Sequence, residues 1–321
     1  MKRLILIAAL SSILFSCKKS KPDINCCGAL ERFYFNDDGT SANAYADSKI
    51  YFNDGMSEKS VTDFPAQPGW TVRSWCARVT PDRTKVYFIS SKDDPSGEIF
   101  SMNRDGSNIT KVVDRTIITG SMRSISLFQN GQKIVFDQEF GSYPNRYSQV
   151  FTINTDGTAF TPVTGYPADG SCYDPVVNEV GTVVAYSCGN AFGRKIYTMS
   201  VNGMNKTLLV NSNTEQLHPQ FSPDGSKIAF EGWWSSIAAD IFIANVDGSD
   251  LKQLTNNSSN GTSPTKYTLT PSFSKDGAII YYTSNVNTSY KQQVFRMYAN
   301  GSNPVILTGS DLTHYSPASA N

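Results

Sequence analysis

The sequence predicts an all-β fold, a six-bladed β-propeller of four-stranded antiparallel blades whose ring closes by joining the N- and C-terminal strands. Three observations carry this. A strand–turn–strand unit recurs along the chain. The second turn of each unit holds a glycine, and Gly106, Gly157, Gly203, Gly248 and Gly301 are spaced by 51, 46, 45 and 53 residues, with Asp54-Gly55 a further 51 upstream. The two chain ends match complementary parts of one unit. Periods in the forties to fifties are those of propeller blades.

The clearest unit starts at His218 as H-P-Q-F-S-P-D-G-S-K-I-A-F and continues as D-I-F-I-A-N-V-D-G-S-D-L-K-Q-L-T to Thr255. Pro223 sets φ early in its first turn, and Gly225 accommodates a positive φ at the turn's end. Asp247-Gly248 between apolar runs is a strong hairpin signal. Two hairpins make a blade, and because one blade cannot bury both of its faces, blades must stack. Copies start at Asp174 (D-P-V-V-N-E-V-G-T-V-V-A-Y) and Thr270 (T-P-S-F-S-K-D-G-A-I-I-Y-Y), with weaker ones from Cys76 and Ser124. Five full blades result, over 76–114, 125–164, 173–210, 218–255 and 270–308. H-Y-S-P-A-S from His314 matches a first strand alone, with Pro317 on Pro219. R-F-Y-F from Arg32 and K-I-Y-F-N-D-G from Lys49 match the later strands. Joined, they form the sixth blade, and a closed ring has no free edge.

The propeller is expected over 31–321. Ahead of it, residues 1–16 read as a signal peptide: Lys2 and Arg3, then a short apolar run from Leu4 to Leu14. Leu14-Phe15-Ser16-Cys17 resembles a bacterial lipobox, which makes Cys17 the lipidated residue and 17–30 its tether. The C-K-K-S start resembles lipoproteins of Bacteroidetes-like bacteria. Lys18, Lys19 and Lys21 do not fit an acidic surface-export signal, so an outer-membrane anchor facing the periplasm is expected. Export permits disulfides.

The repeat resembles the TolB-type, WD-repeat-like propeller repeat, found also in the propeller domain of dipeptidyl peptidase IV-like proteins. The residues that carry this are S-P-D-G-S-K-I-A-F from Ser222 and N-V-D-G-S from Asn245, with matched turns in the other copies. The resemblance covers nearly all of the expected mature chain and implies fold rather than function, since this repeat serves many roles. TolB also carries an N-terminal α/β domain that is not expected between the signal-like segment and the propeller here, so a Tol-system role is not expected from the resemblance.

In such a blade the first strand is innermost, and its start opens on the face opposite the S-P-D-G and D-G turns. Asp105, Asp156, Asp224 and Asp247 are expected to shape those turns rather than bind calcium. The aligned first-strand starts, Cys76, Ser124, Asp174, His218, Thr270 and Ser316, should ring the mouth of a central channel. Candidate ligand-binding residues on that face are His218, Asp174, Arg73, Trp75, Arg146, Arg194, Trp233, Trp234, Tyr290 and His314, because aromatic and arginine side chains are what binding surfaces use. Trp233 and Trp234 cannot easily bury both rings, since adjacent strand residues point opposite ways, so at least one is expected to be exposed. Cys172 and Cys188 fall nearly opposite one another across a hairpin and form a candidate disulfide.

Lys and Arg number 28, Asp and Glu 28, and loss of Lys2 and Arg3 leaves 26 basic residues. That balance lacks the basic excess of a nucleic-acid binder. With two histidines and no C-x-x-C, neither a metal nor another cofactor is expected. No G-x-S-x-G elbow is present. The expected function is a lipid-anchored, non-enzymatic propeller that binds an envelope protein, a peptide or a glycan. The alternative is a carbohydrate-active lyase or hydrolase whose acid and base are drawn from His218 and the carboxylates Asp137, Glu139, Asp174 and Glu231.

Overall fold

The structure is a computed structural model that describes residues 32–36, 49–53, 58–60, 62–65, 67–69, 72–189, 193–235, 238–257, 266–285 and 293–307. Cys17 and the whole 1–30 segment, Tyr290, His314 and the expected closing strand around Ser316 lie outside these residues.

Among the described residues there is no helix. Strands β1 (Arg32–Asn36), β2 (Lys49–Asn53) and β3 (Glu58–Ser60) form a three-stranded antiparallel sheet. Five four-stranded antiparallel groups follow. The first holds β4 (Ser74–Val79), β5 (Lys85–Ser90), β6 (Glu98–Asn103) and β7 (Thr110–Val113). The second holds β8 (Ser121–Phe128), β9 (Lys133–Phe140), β10 (Tyr147–Asn154) and β11 (Thr161–Pro162). The third holds β12 (Cys172–Val177), β13 (Val183–Cys188), β14 (Lys195–Ser200) and β15 (Thr207–Leu208). The fourth holds β16 (Glu215–Phe221), β17 (Lys227–Ser235), β18 (Ala238–Asn245) and β19 (Lys252–Gln253). The fifth holds β20 (Lys266–Phe273), β21 (Ile279–Ser284), β22 (Gln293–Tyr298) and β23 (Val305–Ile306). A short parallel pairing of Ala238 and Ala239 with Lys266 and Tyr267 links the last two groups. These are the blades of a β-propeller, and each first strand packs beside the next in chain order, from β4 to β20.

Side-chain alternation explains why the blades must stack. In β17, Ile228 and Phe230 pack on Val176, Ala185 and Ile196 of the third blade, while Ala229 between them packs on Phe273, Ile280 and Tyr282 of the fifth. The same period of two sends Tyr87 and Ile89 toward the second blade and Val86 and Phe88 toward Ile50 of the N-terminal sheet. Both faces are apolar, so second strands such as β5 read as continuous apolar runs. Each large side chain fully buried this way contributes about 1.5–3 kcal/mol.

The turns follow the sequence reading. Asp105, Asp156, Asp224 and Asp247 each accept a hydrogen bond from the backbone N–H two residues on, at 2.9 to 3.0 Å. The spacing glycines have a second purpose. Gly248 has φ +84°, and a Cβ there would lie 1.9 Å from the carbonyl oxygen of Leu209, at the outer end of the preceding blade. Gly157, Gly203 and Gly301 face Val112, Val163 and Leu254 of their preceding blades in the same way. Gly248→Ala is therefore expected to cost about 2 kcal/mol from the left-handed backbone and the displaced carbonyl together. Urea denaturation checks this, and a loss under 0.5 kcal/mol, roughly the level of an ordinary surface change, would contradict it.

Candidate functional site

All five first strands carry an irregularity in their pairing with the second strand, at Trp75/Arg78, Met122/Ile125, Tyr173/Val176, Leu217/Gln220 and Leu269/Ser272. In four of them one residue adopts a left-handed backbone: Cys76 (φ 55°), Asp174 (53°), His218 (49°) and Thr270 (52°). Non-glycine residues held there cost on the order of 1–3 kcal/mol each, and Thr270, being β-branched, is the least suited to it. Pro175, Pro219 and Pro271 follow three of them, at positions where a bulge tolerates a missing N–H. The repeated bulge re-aims one side chain per blade, and these are the positions that the repeat alignment placed together.

The centre of the resulting group is His218. Its Nδ1 lies 2.8 Å from Glu231 Oε1, and its Nε2 lies 3.5 Å from Asp174 Oδ2 of the preceding blade. The Glu231 side chain is 1 % exposed. It also accepts hydrogen bonds from the Thr270 N–H (2.6 Å) and Trp233 Nε1 (3.0 Å). Burial alone would push the Glu231 carboxyl up; the His218 charge and these donors outweigh it and hold it below the usual range. Burial likewise pulls the His218 imidazole down, but the charges of Glu231 and Asp174 outweigh it and push it up to about 10. The side chain keeps 43 % of its surface open, so water screens part of this pairing. His218 is therefore expected to stay protonated at pH 8 and to titrate near 10. The sign is that of a raised histidine: its stabilisation is complete below about pH 6.5 and fades as pH climbs through the folded value. Ring resonances followed by NMR check this, and a midpoint near 6.5 would refute the pairing.

Beside it, Asp137 is fully buried and accepts hydrogen bonds from the Ser124 N–H (2.9 Å) and Oγ (2.6 Å). Burial, then the nearby Asp174 charge, push its carboxyl up to about 7. Three arginines complete the group. Arg123 Nη1 pairs with Glu139 Oε2 at 3.0 Å, Arg146 Nη1 with Glu139 Oε1 at 3.2 Å, and Arg194 Nε with Glu215 Oε1 at 2.7 Å. The guanidinium groups of Arg123 and Arg194 both lie over the Tyr173 ring, 5.4 and 5.5 Å from its centroid. Trp75 Nε1 donates to the Arg123 carbonyl at 3.1 Å.

Of the expected residues, His218, Asp174, Trp233, Trp75, Arg146 and Arg194 thus enter one network or its border. Arg73 contributes backbone: its N–H donates to Ser91 Oγ, and its carbonyl accepts from Ser90 Oγ. Trp234 leaves the group. Its Nε1 donates to Asp240 Oδ2, its ring packs on Phe242, and it is 44 % exposed, whereas Trp233 packs on Tyr267. Arg123, Tyr173 and Glu215 were not singled out from the sequence. Arg123 and Tyr173 directly precede the aligned Ser124 and Asp174, which was the available signal. Cys172 and Cys188 are direct cross-strand partners, 4.1 Å apart at Cα, and are joined by a disulfide. Among the described residues no group of three or more His, Cys, Asp or Glu converges to hold a metal ion.

The sequence model of the TolB beta propeller domain matches residues 174–321. The structure is similar to TolB from Acinetobacter baumannii, with 15 % identity, a TM-score of 0.68, and coverage of 90 % of this chain and 66 % of that one. It is similar to a putative TolB from Agrobacterium tumefaciens, with 15 % identity, a TM-score of 0.63, and coverage of 90 % and 93 %. An oligogalacturonate lyase in complex with manganese is more distant, with 10 % identity, a TM-score of 0.56, and coverage of 82 % and 71 %. The TolB-type resemblance read from the repeat holds. At these identities the structural likeness establishes fold.

Proposed function

We propose that this TolB-like propeller is an exported binding protein, anchored through a lipidated Cys17 to the outer membrane and facing the periplasm, that grips an envelope partner protein over the His218–Tyr173 face. In this reading the six blades close through the strand around Ser316, with Tyr290 and His314 near the same face. The signal-like 1–16 segment and lipobox support the anchor. The observation that carries the binding role is the gathering of exposed cationic groups and aromatic rings from consecutive blades onto one face, fixed by recessed carboxylates. Such pre-organised arginine and aromatic anchors are the groups that dominate protein recognition.

A carbohydrate-active enzyme is favoured by one observation, two displaced titrations in a convergent polar cluster. The geometry argues against it. Asp137 has no exposed surface with which to touch a substrate. His218, whose imidazole Glu231 and Asp174 push up to about 10, is ill suited to act as a base at neutral pH. The test is capture from envelope extract by the detergent-solubilised full chain, beside a Tyr173→Ala, Trp233→Ala variant. A partner held by the parent and lost by the variant is expected. Equal capture by both would remove the face from the proposal.

A further inference from the structure

The polar groups of this face are not arranged symmetrically with respect to solvent. The cationic side chains are open: Arg146 is 54 % exposed, Arg123 46 %, His218 43 % and Arg194 27 %. Their carboxylates are less open, Asp174 at 19 %, Glu139 and Glu215 at 12 % and Glu231 at 1 %. An approaching ligand therefore meets N–H donors before it meets acceptors. Among the described residues, Arg123 is tied to its carboxylate through Nη1, and Arg194 through Nε. A guanidinium has five N–H donors, so each keeps donors in hand for a second acceptor. The carboxylate pairing of each guanidinium and its place over the Tyr173 ring restrict both side chains, so less side-chain entropy remains to be lost when that acceptor arrives.

Resting on the binding role proposed above, we infer that the occupant of this face is an acidic peptide segment, whose carboxylates take the remaining donors of Arg123 and Arg194 beside Tyr173. A guanidinium and a carboxylate match as planar forks, which makes this the strongest polar pairing available to the site. A glycan is disfavoured by the rings. Sugars need a free aromatic face, whereas two guanidinium groups crowd the Tyr173 ring, 5.4 and 5.5 Å from its centroid, and Trp233 is tilted against Tyr267 with its Nε1 bound to Glu231. The donors left over are matched to carboxylates, and a short segment with alternating acidic side chains presents several at once.

The test uses the detergent-solubilised full chain with hexaglutamate, hexaglutamine and hexagalacturonate as probes, in low salt, followed by tryptophan fluorescence and calorimetry. Hexaglutamate is expected to bind and hexaglutamine not. Arg123→Gln with Arg194→Gln should weaken hexaglutamate about tenfold or more, and raising salt should weaken it further. If the double variant unfolds, Arg194→Gln alone should still cost about threefold, with Arg194→Lys between it and the parent, since lysine keeps the charge and loses the fork. Equal binding of hexaglutamine, or no loss in the arginine variants, overturns the inference. Arginine-dependent binding of hexagalacturonate without hexaglutamate overturns it in favour of an acidic glycan. The envelope capture separates the two levels. A partner lost by Tyr173→Ala, Trp233→Ala but kept by the arginine variants would sink the acidic ligand and leave the binding face standing. A partner kept by all variants would sink both.

Discussion

Replacing Glu231 with alanine is expected to lower stability by about 3 kcal/mol at pH 7. The carboxylate pairs with the His218 ring, 2.8 Å away, and accepts hydrogen bonds from the Thr270 N–H and Trp233 Nε1. Its removal leaves a backbone donor and an indole donor short of a partner, and an imidazolium beside Asp174 alone. Breaking a buried ion pair by deleting one member costs roughly 3–5 kcal/mol; the lower end applies because the His218 side chain is 43 % open to water. Glu231→Gln, which preserves one acceptor oxygen, should cost about half as much. The pH dependence gives the more searching check. Glu231 is held below its ordinary value and His218 above its own, so the pair stabilises the fold between them. The parent's advantage over Glu231→Ala should be greatest near pH 5 to 6.5. It should fade as pH rises toward about 10 and His218 loses its proton, and it should fade again in acid as Glu231 gains one. Urea titrations across that range measure it. A deficit constant from pH 6 to pH 10 would mean that the ion pair contributes nothing.

Removing the disulfide should have an effect of similar size. Cys172 and Cys188 are 16 residues apart, and a cross-link closing a loop of that length stabilises by about 3 kcal/mol in the chain-entropy account. Both residues are essentially buried, between the second and third blades, so Cys172→Ala with Cys188→Ala also removes packed sulfur. A reductant should lower the parent's denaturation midpoint and leave the double variant's unchanged. A parent indifferent to reductant would show that the pair is not oxidised.

The fold was legible because propeller blades are specified locally. Pro223, Gly225 and the Asp247-Gly248 turn are each read from adjacent residues, and alternation along Ile228, Ala229 and Phe230 needs no knowledge of neighbours. The face around His218 was legible only where repeat alignment substitutes for three dimensions. His218 and Asp174 occupy the same place in successive units, so aligning them sets them side by side. Trp233 and Trp234 could be divided between two directions by strand alternation, but not assigned to Glu231 and Asp240. Arg123 and Tyr173 adjoin aligned positions, yet their role was not readable there, for a different reason. Their role comes from a stack between blades, and no spacing within one unit encodes what lies across the gap to the next.

The spacing glycines add a point about how such a chain is assembled. At four successive junctions among the described residues, from Val112 and Gly157 to Leu254 and Gly301, a bare α-carbon of one unit meets a backbone carbonyl of the unit before it. A copied unit brings both halves of the joint with it, so whole units can be added or lost without inventing an interface. A partial unit cannot, because it strands one half. A side chain at the bare carbon would press on the carbonyl of the unit before it, hardest at Gly248 and least at Gly203.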